Sequence, residues 1–408
     1  MRMQHLVILG GALAAACAAP GCNRECGAPG TVCTVVGTGA AGLDTGEGTP
    51  ALDSPLYDPV DVTFGPDGDA YVVDWNNHRI RRWSPTAGTV TTVAGVGGLG
   101  GDGPPGPALV SMLNHPTSVT FDGRGDMLIG AWHNRRVKRV NLSSGLLEDV
   151  CGTGVAGFAG DGGPAETAQL DLPVNVAVDA SGVLFIADQN NNRIRLVDGS
   201  DIISTYAGTG LGTPSGPAAT PGTCIGAFED GTLDCFRDGP IDPTAPDAAL
   251  LNNWLTQSAL PGGRIALDAA GDLYIADTAN NAIRKIDRAL AFMTTIAGLG
   301  PTEGGYSGDG GPAAAARLSH PTDLEVAPDG TLYVADTDNH CIRAIAPDGN
   351  ISTVAGVCGT EGAPVDGAKA AEALFKRPFG ITLGPDGNLY VADTQNDVVR
   401  VVYLAGAD

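Results

Sequence analysis

An Asp, an Asn three residues on and a basic residue four beyond that recur along this chain. The sets are Asp74, Asn77 and Arg81; Asp188, Asn191 and Arg195; Asp277, Asn280 and Arg284; Asp336, Asn339 and Arg343; and Asp393, Asn396 and Arg400. A sixth copy keeps Asn134 and Lys138 but has Ala131 in the Asp position. A carboxylate, an amide and a guanidinium at this spacing can react with a substrate or tie a tight loop by accepting backbone hydrogen bonds. A reacting site needs such a set once, whereas a joint needs it in every repeat. The repetition therefore predicts a structural role.

Chemistry specific to this protein should lie where the copies disagree. Trp75 and Trp132 follow the Asp position in the first two copies, where the others carry Gln189, Thr278, Thr337 and Thr394. The second copy also adds His133. Exposed neighbouring Trp residues would suit a sugar or a protein partner; the other reading is that both pack on neighbouring loops. A second set is Asp61, Ser118, Asn175, Arg264, Asp323 and Gly380, which share one position in six strand-like segments; Glu325 lies two residues past Asp323. Asp61, Asn175, Asp323 and Glu325 could ring a cation, calcium being the candidate, whereas Arg264 would oppose one and could pair with Asp323 or Glu325. A third set is Glu47, Asp102, Asp161, Asp309 and Asp366 in Gly-rich loops. Each such loop offers one carboxylate against the six to eight oxygens calcium takes, so turn formation is expected there. No G-x-S-x-G elbow or H-E-x-x-H pair is present. His115 and His320 share one repeat position, and His78 and His340 another.

The elements that position these residues follow from the repeat. Copies begin at Tyr71, Leu128, Phe185, Tyr274, Tyr333 and Tyr390, with intervals of 57, 57, 89, 59 and 57 residues. The long interval places an insertion at about 211–260. Each unit reads as four strands; in the fifth they cover 323–327, 332–335, 342–346 and 351–355, with Pro-Asp-Gly turns at 328–330 and 347–349. Asp-Gly between apolar runs is a strong hairpin signal. A lone four-stranded meander cannot bury both faces, but six arranged radially can. The expected architecture is all-β: a single six-bladed β-propeller over 32–408. The first strand of each blade should line the central channel. Residues 32–37 match the fourth-strand phrase at 353–356, and no fourth strand follows Leu404. The N-terminal strand should therefore close the last blade, leaving no open seam.

With six such copies, the chain resembles NHL-repeat proteins. The segment Gly308-Asp309-Gly310-Gly311-Pro312-Ala313, then Leu318-Ser319-His320-Pro321 and Tyr333-Val334-Ala335-Asp336, is similar to the secreted bacterial and teneurin-like branch. The resemblance implies the propeller fold over about 32–404. It leaves function open among RNA-binding modules, adhesion domains, receptor sensors and a few lyases. Gluconolactonase and regucalcin propellers, which hold a catalytic calcium with a Glu, Asn and Asp set in the channel, and virginiamycin B lyase make an enzyme the alternative.

Charge and cysteine usage narrow the field. The net charge of −23 argues against binding nucleic acid or another polyphosphate and against adhesion to anionic lipid. Arg2, an apolar run at 6–16 and small residues up to Cys17 have the layout of an export signal over 1–17. Ala14-Ala15-Ala16-Cys17 resembles a bacterial lipobox, with Ala14 where the motif prefers Leu, and implies a lipid on Cys17; plain cleavage near Ala16 or Ala18 is the other reading. Residues 18–31 read as a linker. Eight further Cys are consistent with export. Cys224 and Cys235 are expected to bridge within the insertion, and Cys341 and Cys358 across a hairpin; the pairing of Cys22, Cys26, Cys33 and Cys151 stays open. The combined expectation is a monomeric protein, exported to a bacterial envelope or beyond it. It would bind a protein or carbohydrate without catalysis, meet the membrane only through an N-terminal lipid and make no contact with nucleic acid.

Overall fold

The computed structural model describes residues 26–98, 100, 105–208, 239–240 and 261–404. Cys17, Cys22, Asp102 and the Cys224–Cys235 bridge lie outside the described residues.

Six antiparallel sheets form the fold. Blade 1 runs outward through Pro59–Phe64, Ala70–Asp74, Arg79–Ser84 and Thr89–Ala94. Blades 2, 3 and 5 repeat that order, with innermost strands Pro116–Phe121, Pro173–Val178 and Pro321–Val326. Blade 4 begins at Ile265–Leu267 and blade 6 at Pro378–Leu383. The first hairpin of each blade turns on Gly where the backbone is left-handed, as at Gly68, Gly330 and Gly387. Both faces of a blade are covered by its neighbours, so the second strands read as unbroken apolar runs rather than alternating ones. Along Ala70–Asp74, Tyr71 and Val73 pack toward blade 2, and Ala70 and Val72 toward blade 6. Each fully buried Val, Leu or Ile in these layers contributes about 1.5–3 kcal/mol.

Closure is as the sequence predicts. Thr31–Val36 is the outer strand of blade 6 and pairs with Val398–Val402, Val32 facing Val402 and Thr34 facing Arg400. The Cys341–Cys358 bridge forms. Cys26 pairs with Cys33, which ties the residues expected to be linker onto the closing strand. Cys151 is free, so the even count of eight does not resolve into four bridges. It is fully buried at the end of the outer strand of blade 2, where Ala94, Ala207, Ala297 and Ala355 stand in other blades, and it packs against Ala165, Ala168 and Leu170. Four sheets also carry a fifth, two-residue strand: Thr49–Pro50, Gly106–Pro107, Gly239–Pro240 and Ala368–Lys369. These elements are too short to leave a hydrophobic pattern.

Candidate functional site

The repeated polar residues are consumed by the fold. Asp74, Asp188, Asp336 and Asp393 each accept the backbone N–H of the residue 17 positions earlier, Tyr57, Asp171, Ser319 and Lys376, at 2.7–2.8 Å. Their second oxygen accepts from Asn77, Asn191, Asn339 or Asn396 at 2.8–2.9 Å, and Asn280 does the same for Asp277. The same four amides also reach the entering loop at Gly42, Gly157, Gly305 and Gly362. Every oxygen meets an N–H donor, so the ionised form fits the loop, although burial raises Asp74 to about 7 and Asp188, Asp336 and Asp393 to about 6. In blade 2, which has Ala131, Asn134 Oδ1 accepts the Asn114 N–H in the carboxylate's place. The guanidiniums pair within their own blade: Arg343 contacts Asp336 at 3.3 Å and the entering-loop Asp309 at 2.6 Å, and Arg195 bonds Asp188 and Asp161.

The Gly-rich loops therefore have their carboxylates engaged already. Asp161 and Asp309 also accept an outer-strand N–H, from Thr205 and Thr353, where the ladder register shifts. In blade 1 these tasks are split: Asp44 pairs with Arg81, and Glu47 accepts the Thr92 N–H. Asp366 accepts the Thr34 N–H of the closing strand.

The Trp reading needs correction. Trp132 is only 4% exposed, and its indole N–H donates to Gln189 of blade 3 at 3.0 Å. His133 stacks on it with ring centres 4.2 Å apart, and half-buried Trp75 lies 4.9 Å from His115. The rings wedge blade 1 to blade 2 and blade 2 to blade 3, so no open pair of indoles is presented.

Neighbouring blades are latched at the loop face. His78 Nδ1 accepts the His115 N–H, Asn281 that of His320, His340 Nδ1 that of Arg377, and Asp397 that of Asp58, at 2.8–3.1 Å. Each latch joins two left-handed residues. An accepting Nδ1 must be unprotonated, and burial lowers the pKa of His78 and His340 accordingly. A lowered folded pKa gives stability that is full above the free value of about 6.5 and is lost as pH falls toward the folded pKa. Each histidine should then cost about 1.4 kcal/mol per pH unit between its two pKa values. Buried carboxylates raised in pKa titrate with the opposite sign, so the comparison is internal. Thermal unfolding of His78→Asn/His340→Asn should lose less stability than wild type between pH 7 and 5; parallel losses would refute the latch.

The first strands line the channel, as expected. Asp61 accepts the Val119 N–H, Asn175 that of Ile265, and Asp323 that of Ile381, so blades 1, 3 and 5 each hold the next blade. Arg264, 1% exposed, crosses the axis from blade 4. It donates to Asp61 at 2.7 Å, Asp323 at 3.1 Å and the Val60 carbonyl at 2.8 Å, and also bonds the Thr117 carbonyl. A calcium ion does not fit at this level, because a guanidinium already sits between the two carboxylates and Asn175 has spent its oxygen. Among the described residues no group of three His, Cys, Asp or Glu is arranged to hold a metal. Glu325, the remaining member of the set, has no cationic partner among the described residues; its Oε1 accepts the Leu383 N–H at 3.4 Å.

One outer edge also departs from the other copies, and sequence reasoning passed over it. The short turn entering blades 1, 2, 3, 5 and 6 is Ala51–Asp53, Ala108–Val110, Ala165–Thr167, Ala313–Ala315 and Ala370–Glu372, respectively. Its first Ala is buried in every case. In blade 2 the next positions are Leu109 and Val110, 58% and 67% exposed, followed by Met112 at 45%; blade 1 has Leu52, 45% exposed, followed by Asp53, and blades 3, 5 and 6 carry Glu166, Ala314 and Ala371 in place of Leu109. Leu146, 52% exposed, lies opposite Pro107 on the same edge. Aligning the repeats on the buried Ala would have exposed this departure.

Comparison with known proteins places these observations. The Teneurin NHL domain profile matches residues 29–229 and 240–346. Teneurin-1 of Mus musculus is 27% identical over 376 residues, covering 78% of this chain and 13% of that protein. Teneurin-3 of Mus musculus is 28% identical, covering 85% of this chain and 12% of its own length. This chain thus spans a small part of the curated relatives it matches. Among solved structures, an auxiliary nutrient binding protein from Bacteroides thetaiotaomicron superposes with a TM-score of 0.61 at 17% identity, over 91% of this chain and 75% of that one, which is a likeness of fold. Six sheets closed by an N-terminal strand, five complete Asp-x-x-Asn joints and a profile match over most of the sequence lead to one conclusion: the chain belongs to the teneurin NHL domain family.

Proposed function

We propose that this protein is an exported binding module that engages a protein partner through the outer edge of blade 2. The observation that carries this reading is the exposed set Leu109, Val110, Met112 and Leu146, on a chain whose repeated polar residues all serve its own joints. Exposed apolar residues grouped on an otherwise polar surface mark interaction sites. The net charge of −23 favours a partner with basic residues around its apolar docking face. Two disulfides support export to an oxidising compartment, and no described helix is long and apolar enough to cross a membrane. The Cys17 lipid remains part of this proposal, as does location in a bacterial envelope or outside the cell. The Arg264 plug argues against a calcium-dependent enzyme with its ion between Asp61 and Asp323.

The test is a photo-crosslinking amino acid at Leu109, with the same label at Glu166, its counterpart in blade 3, as control. An envelope-fraction adduct should form at 109, and unlabelled wild type should compete it whereas Val110→Asp should not. It should weaken as salt rises. Equal labelling at 166, or competition by Val110→Asp, would refute the edge as the docking surface.

A further inference from the structure

Beyond the Arg264 plug the channel widens into a cavity of about 380 Å³. Its position follows from strand geometry. Arg264 immediately precedes blade 4's first strand, whereas Phe64, Val178, Leu267 and Leu383, which also line the cavity, lie at the far ends of theirs. The cavity therefore extends toward the face bearing the first hairpin turns, away from the loop face. Two residues beyond the plug level, about 7 Å along a strand, the lining divides in two. One half carries Glu325, Thr382, Thr63 and Thr120; the other carries Ala177 and Ala266.

We propose that this cavity is a binding site for a small organic ammonium ion, with Glu325 as its counter-ion and the Thr120 and Thr382 hydroxyls as further acceptors. Three observations carry this. The charged groups lining the cavity are Asp61, Asp323, Glu325 and Arg264, and both contacts of Arg264 with carboxylates go to Asp61 and Asp323. The lining thus has one cation for three carboxyl groups, and Glu325 is the one left without a cationic partner among the described residues. Its only hydrogen bond among the described residues is the long one from Leu383, so its second oxygen is available to a ligand. The facing wall of small and aliphatic side chains leaves room for carbon, and the volume lies at the lower end of the range for small-molecule sites. A calcium ion needs six to eight oxygens, which one carboxylate and two or three hydroxyls do not supply. A primary ammonium has three donors, which they do.

The site should be proton-linked. Burial in the channel, reinforced by Asp323 and Asp61, raises Glu325 to about 8. At neutral pH the empty site therefore holds a neutral carboxyl. An entering ammonium pairs with the carboxylate, and the carboxyl proton leaves to solvent. Binding should release close to one proton at pH 7, and affinity should fall about tenfold for each pH unit below the carboxyl's pKa.

The experiment is calorimetry of the full chain with methylammonium and ethanolammonium, with ethylene glycol as the neutral control, at pH 6 and 8.5 in two non-amine buffers of different ionisation enthalpy. Binding of the ammonium ions but not the glycol, roughly 100-fold tighter at pH 8.5 than at pH 6 and with proton release at pH 7, is expected. Glu325→Gln should abolish binding and proton release; circular dichroism verifies its fold, since only one long hydrogen bond is at stake. Thr382→Val keeps the carboxylate and should weaken binding while preserving proton release. No ammonium binding by wild type at either pH, equal binding by Glu325→Gln, or tighter binding of calcium than of ammonium would overturn the proposal.

Discussion

Arg264→Leu is expected to destabilise the protein by about 3–5 kcal/mol, the loss seen when one partner of a buried ion pair is removed. The side chain bonds Asp61, Asp323 and the carbonyls of Val60 and Thr117, so it joins blade 4 to blades 1, 2 and 5 across the axis. Without it, two buried carboxylates face each other and two carbonyls lose their donor. Leaving a buried polar group unpaired costs about 1–3 kcal/mol, and more when it is charged. Arg264→Lys keeps the charge but has no planar fork to span four acceptors, so it should recover only part of the loss. Asp61→Asn/Asp323→Asn in the Arg264→Leu background should recover more, because the uncompensated charge is gone. Urea unfolding of the four proteins decides the matter. A loss below about 1 kcal/mol for Arg264→Leu would mean that the guanidinium does not hold the ring.

Removing the closing strand should be more damaging still. A chain starting at residue 38 is expected to yield no folded monomer, whereas one starting at residue 26 folds. Val32, Cys33 and Val36 are at most 2% exposed. At about 1.5–3 kcal/mol for each large apolar side chain, their loss alone takes up much of a typical total stability of 5–15 kcal/mol. Val399, Val401 and Val402 of blade 6, buried in the intact chain, would then sit on an unpaired edge, which promotes aggregation. Val36→Asp tests the same point without shortening the chain. Size-exclusion chromatography and near-ultraviolet dichroism read the outcome; a cooperative monomer from the shortened chain would show that the ring closes without its clasp.

How much was legible depended on how often a feature was written. The Asp-x-x-Asn joints could be read because repetition itself argues for structure, and blade count and closure followed from the same period. The channel set could be read as a ring, since its members share one strand position. The Arg264–Asp323 pair could be read from it too; the contacts of Arg264 with Asp61, Val60 and Thr117 could not, because those residues lie on other blades, far away in sequence. Trp132 looked like a platform because its sequence neighbours are polar; it packs in an apolar cluster with Val174 and Ala187 and bonds Gln189, all more than 40 residues later. Cys151 misled the cysteine count, since chemistry suggested a bridge while its alignment with Ala94 and Ala355 pointed to a packed methyl-sized position. Glu47 stands among the loop carboxylates as read, accepting the Thr92 N–H. Two acidic residues share one loop, and only the hydrogen bonds show that Asp44 meets the arginine.

The way blade 6 is assembled has a mechanical consequence. Thr31–Val36 and Val398–Val402 run antiparallel, with Val32 beside Val402, so the two ends of the described chain leave the sheet at the same edge. Tension applied between those ends would not slide the strands past each other with all their bonds loaded together. It would part them one pair at a time, as a zip opens, beginning beside the Cys26–Cys33 bridge. Held at both ends, the ring should come undone at low force and at one fixed place; pulled instead across two blades, it should resist.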